Sequence, residues 1–84
     1  MNLYLVSQDK VTGYDTYDSM VVAAETEEAA RLMHPSEYVS GEWWLDVSSV
    51  GQDWPSPSDV QVDLIGTATA ETQPGVICAS FNAG

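Results

Sequence analysis

Positive charge is almost missing from this chain. Lys10 and Arg31 are the only cations in 84 residues that carry thirteen Asp and Glu, giving a net charge of −11. Solubility of a small domain needs roughly 2 to 8 units, so the excess bears on partners. A field of that sign repels nucleic acid and anionic membranes and attracts basic protein surfaces. Two cations cannot supply the phosphate contacts that dominate nucleic-acid affinity. The expected partner is a basic protein surface, with no direct nucleic acid and no membrane.

Other scarcities narrow the chemistry. Cys78 is the single cysteine, so no internal disulfide can form and a reducing compartment is expected. His34 is the single histidine, and no His/Cys set with metal-ligand spacing exists. Asp15-Thr16-Tyr17-Asp18 has two carboxylates but lacks the glycine and distal Glu of a hand-type calcium loop. Cys78 would need His34 as its base, yet it lies in the apolar run Gly75-Val76-Ile77-Cys78-Ala79, where cysteine is expected to fill a core. There is no glycine-rich phosphate loop or dinucleotide fingerprint. No catalytic, cofactor or metal residue is therefore assigned, and the chain reads as a non-enzyme. No apolar stretch approaches the roughly 20 residues that span a bilayer. Met1-Asn2-Leu3-Tyr4 lacks the basic start of a signal peptide, and a cytoplasmic location is expected.

What is present argues for a folded chain. Apolar residues make up 44% of the sequence, with three Trp and four Tyr, more than a disordered acidic segment carries. One domain over 1–84 is expected, with a stability of about 4–8 kcal/mol. Asn2 to Ser7 alternates, Leu3 and Leu5 against Tyr4 and Val6, and predicts a strand. Gln8 to Asp15 reads as a hairpin loop, and Thr16 to Ala24, with Met20-Val21-Val22, as the returning strand. Thr26 is the expected N-cap of a short helix, with Glu27 and Glu28 at its positive end. Ala29, Ala30, Leu32 and Met33 form its buried side, and Pro35 stops it at His34. Val60 to Gly66 and Val76 to Phe81 read as strands, the last apolar on both faces and hence central. The order β-β-α-loop-β-β predicts an α+β domain: a small, mostly antiparallel sheet of about four strands packed by one helix. Parallel pairing of an N-terminal with a C-terminal strand stays open, because the helix provides a crossover.

Residues 36–58 form a Trp-rich insert. Its prolines, glycines and serines are loop composition, yet Trp43, Trp44, Leu45, Val47 and Trp54 are more apolar than a solvated loop. Two readings stand: a short strand over Glu42 to Ser48 with Trp43, Leu45 and Val47 turned inward, or a docking surface. Interface hot spots favour Trp and Tyr inside a polar rim, and Glu42, Asp46 and Asp53 flank these tryptophans. Tyr14, Asp15, Tyr17 and Asp18 make a second acidic-aromatic loop. The candidate protein-binding residues are thus Tyr14, Asp15, Tyr17, Asp18, Glu42, Trp43, Trp44, Asp46, Asp53 and Trp54, weighed against a core role for the tryptophans and plain solvation for the carboxylates.

Several blocks carry a resemblance: Tyr4-Leu5-Val6-Ser7-Gln8, Gly13-Tyr14-Asp15-Thr16-Tyr17-Asp18-Ser19, the strand from Val60 to Gly66, and Gly75-Val76-Ile77-Cys78-Ala79-Ser80-Phe81-Asn82-Ala83-Gly84. Outside Ser36 to Gln52 the chain resembles a family of short, acidic, uncharacterised proteins of bacteriophages of Gram-negative bacteria. The resemblance implies a phage origin and supplies no mechanism. With that origin, the acidic surface suggests an inhibitory binder of a host defence or nucleic-acid-handling protein, of the anti-CRISPR or DNA-mimic kind. The alternative is a phage structural or assembly protein that oligomerises through a sheet edge or the Trp-rich segment, as a homodimer for example.

Overall fold

The computed structural model describes residues 1–36, 39, 41–45 and 53–82. The fold is α+β, mostly sheet. Four strands, β1 (Asn2–Ser7), β2 (Thr16–Ala24), β3 (Gln61–Thr67) and β4 (Gly75–Asn82), are accompanied by one short helix, α1 (Glu27–Arg31). Two 3₁₀ turns, Trp43–Leu45 and Pro57–Asp59, lie between α1 and β3. The expected strand over Glu42 to Ser48 is replaced, in its described part, by the first of these turns. The rest of that segment, with Asp46 and Val47, lies outside the described residues.

The sheet order is β3-β1-β2-β4, and every pair is antiparallel. The hairpin β1–β2 therefore occupies the centre. In its register Tyr4 faces Val22 and Val6 faces Met20, which gathers the buried alternation of both strands on one face. On the β3 side Val62 lies opposite Val6 and packs against the same core. Because β2 and β3 each run antiparallel to β1, they run parallel to each other with β1 between them. The helical crossover thus yields no parallel ladder. The link from β3 to β4 crosses the end of the sheet, and Ala68 N–H donates to the Met1 carbonyl on the way (2.8 Å).

Placement of the last strand departs from expectation. β4 is an edge strand, and seven of its eight residues are exposed. Cys78 is exposed with it, not core filler. An apolar run shows that a strand avoids charge, and the topology decides whether neighbours cover it. Here β2 takes one side of β4, and no described strand takes the other.

The core lies on the α1 side of the sheet. Tyr4, Val6, Met20, Val22, Ala24, Ala30, Trp43, Trp54 and Val60 form one buried cluster. Trp54 is fully enclosed, and truncating a buried Trp costs about 3–5 kcal/mol, comparable to the whole stability of a domain this small. The helix supplies few apolar groups and is held by polar ones. Thr26 Oγ1 accepts the Ala29 N–H (3.1 Å). Arg31 donates to the carbonyls of Pro57 (3.1 Å) and Val60 (2.8 Å). Trp43 Nε1–H donates to the Leu32 carbonyl (2.9 Å), satisfying an acceptor that the helix end leaves open. The helix ends at Arg31, with Leu32 as C-cap, earlier than Pro35 alone requires.

Candidate protein interface

The hairpin loop is built around one side chain. Gln8 Nε2 donates to the carbonyls of Val11 and Tyr17, both at 2.7 Å. Its Oε1 accepts the N–H groups of Lys10 (2.9 Å) and Val11 (2.8 Å). One amide thus organises four backbone groups. Gly13 (φ 108°) and Asp15 (φ 60°) take left-handed conformations, which glycine adopts freely and Asp tolerates better than most residues. The Gly13 carbonyl accepts from Thr16 Oγ1 (2.9 Å) and Asn82 Nδ2 (2.7 Å), and Asp15 N–H donates to the Asn82 carbonyl. The loop is therefore fastened to β4. Between these fixed points Tyr14 projects, 77% exposed, with Asp15 and Asp18 exposed beside it.

The two acidic-aromatic segments meet. Tyr17 N–H donates to the Asp53 carbonyl (3.1 Å), joining the start of β2 to the residue before Trp54. Asp53 Oδ1 lies 3.6 Å from His34 Nε2. The His34 ring stands edge-on to Trp43 at 4.9 Å, and Trp43 edge-on to Trp44 at 5.8 Å. A continuous path thus runs from Tyr17 through Asp53 and His34 to the Trp43–Leu45 turn, where Glu42 is exposed. Spacing in the sequence, 25 residues from Tyr17 to Glu42, gives no sign of this.

Burial sorts the aromatics. Trp43 and Trp54 are buried, so the core reading holds for both side chains and neither is an exposed anchor. Trp44 and Tyr17 are half-buried and pack on that core, and Tyr17 also touches Phe81, ring centroids 4.8 Å apart. Tyr14, Leu45 and Phe81 are exposed; of these only Tyr14 was among the expected binding residues, and Leu45 is not turned inward as the expected strand required. Asp46 lies outside the described residues.

The pKa of His34 is displaced. Ser36 N–H donates to its Nδ1 (3.0 Å), which leaves the proton of the neutral ring on Nε2. Burial pushes the imidazole pKa below its usual 6.5, and the Asp53 carboxylate opposes this without overcoming it. His34 is therefore a neutral core residue at pH 7. Among the described residues no three His, Cys, Asp or Glu side chains are grouped to hold a metal ion, and no helix is long and apolar enough to cross a membrane.

Of the described carboxylates, ten are exposed and Asp53 is half-buried. Only Glu27 meets a cation, Arg31 at 3.6 Å, while Arg31 spends its other contacts on backbone carbonyls. The negative surface is consequently left open to solvent. Comparison with known proteins identifies no relative: no family model, curated protein or solved structure matches this chain.

Proposed function

We propose that this chain is a small phage-encoded protein-binding protein. It would occupy a basic surface of a host defence or nucleic-acid-handling protein in the manner of an anti-CRISPR or DNA mimic. The observation that carries the reading is the unneutralised surface: ten exposed carboxylates on the described residues, with one cation pair among them. A hydrogen-bonded loop presenting exposed Tyr14 next to Asp15 supplies an apolar contact within the acidic field, as hot spots ringed by polar groups do. The phage origin rests on the resemblance carried by four sequence blocks, Tyr4 to Gln8, Gly13 to Ser19, Val60 to Gly66 and Gly75 to Gly84.

The test is capture from a Gram-negative host lysate, with the captured protein then purified and its association measured. Expected partners are nucleic-acid-binding proteins that duplex DNA displaces competitively. Their association rate should fall by about ten-fold or more as salt shortens the screening length from about 30 Å to about 3 Å. The triple variant Asp15→Asn, Asp18→Asn, Glu42→Gln should lose part of that salt dependence and weaken capture. A lysate that yields no basic partner at low salt, or capture indifferent to both salt and the triple variant, would overturn the reading.

A further inference from the structure

We infer that the edge of β4 away from β2, which no described strand covers, pairs with β4 of a second copy, joining two sheets into one across a two-fold axis. An exposed strand edge offers unpaired backbone groups to another strand, and proteins commonly guard such edges with charge. The two edges of this sheet differ in that respect. β3 carries Asp63, with exposed Asp59 just before it. β4 carries no charge, and no charged side chain occurs from Thr72 to Gly84, the longest such stretch in the chain. In a molecule of net charge −11, a second copy is repelled from almost every other approach. The uncharged edge is where two like-charged molecules can meet, and its exposed Val76 (37%), Ile77 (55%) and Phe81 (47%) supply apolar surface to bury.

The geometry narrows the register. Val21 faces Cys78 while Val22 faces Val76, so Ile77 is an extra residue, a bulge that bends the start of the strand. A second register shift leaves Asp18 of β2 unpaired between Tyr17–Phe81 and Ser19–Ser80, but on β4 itself no residue is extra from Cys78 to Asn82, and Ser80 is the middle of that stretch. In an antiparallel ladder the local two-fold axes pass through opposed residue pairs, so a symmetric pairing places one residue opposite itself. Centring on Ser80 sets Ser80 against its own copy and Ala79 against Phe81 of the second copy. That contact extends the Tyr17–Phe81 pair across the junction. The interface is isologous and closes at two chains.

Sedimentation equilibrium of the full chain, from micromolar to millimolar concentration and at low and high salt, tests this. A monomer–dimer equilibrium that strengthens with salt is expected, since screening removes the mutual repulsion. Ser80→Glu and Ser80→Lys each put like charges face to face and should weaken the dimer by about ten-fold or more. An equal mixture of the two should restore it as a heterodimer, which a folding defect could not do. Leu64→Glu on the other edge should leave the dimer intact. A wild-type chain that stays monomeric throughout, a dimer indifferent to Ser80→Glu, one lost in Leu64→Glu, or a mixture that fails to associate would overturn the inference.

Discussion

At the scale of single residues, His34 shows burial prevailing over charge. Its Nε2 faces Asp53 at 3.6 Å, yet desolvation keeps its pKa below 6.5. The folded state thus binds a proton less readily than the unfolded chain does. Stability from this group is fully present above pH 6.5 and declines as pH falls from there through the lowered folded pKa. The thermal midpoint should therefore drop between pH 7 and pH 6, measured by circular dichroism. His34→Asn keeps an acceptor for the Ser36 N–H and carries no titrating group, so it should flatten that slope. A slope unchanged in this variant would mean that another group is responsible.

At the scale of elements, local signals and tertiary ones separate cleanly. Thr26 was readable as an N-cap because its side chain acts on a donor three residues away, and the alternation of Asn2–Ser7 and the apolar run Met20-Val21-Val22 within Thr16–Ala24 predicted both strands with their observed ends. Thr26→Ala should destabilise the domain by about 1 kcal/mol in urea titration. Glu27→Gln, which removes the exposed pair with Arg31 and one of the two acidic charges in the first turn of the helix, should cost less than about 1 kcal/mol. The central position expected for β4 failed for a definable reason. A strand apolar on both faces is buried only if elements lie against it, and the hairpin takes the centre of this sheet. Gln8 was not legible as the organiser of its loop: its contacts with Lys10 and Val11 are local, but the Tyr17 carbonyl that ties the loop to β2 lies nine residues on and becomes a neighbour only when the hairpin closes.

At the scale of the molecule, surface charge works against compactness. With −11 spread over a folded domain and few pairs to offset it, self-repulsion is part of the stability balance. Adding sodium chloride at pH 7 should raise the thermal midpoint, steeply up to about 0.15 M, where the screening length has fallen to about 8 Å, and weakly beyond. A midpoint flat across that range would show that the carboxylates lie too far apart to interact. This measurement belongs at low protein concentration, where self-association through β4 contributes nothing.

The sequence by itself determined the charge, the four strands, the capped helix and the α+β class. These depend on composition, on two-residue alternation, or on groups a few positions apart. It also named Tyr14, Asp15, Tyr17 and Asp18 as an acidic-aromatic segment. Tertiary structure alone decided that Trp43 and Trp54 serve the core and that Asp53 joins the hairpin to the Trp-bearing turn. It also left β4, the stretch without charge, at the edge. Each of these depends on which distant segments lie side by side, and side-chain chemistry is the same whether a neighbour is present or not.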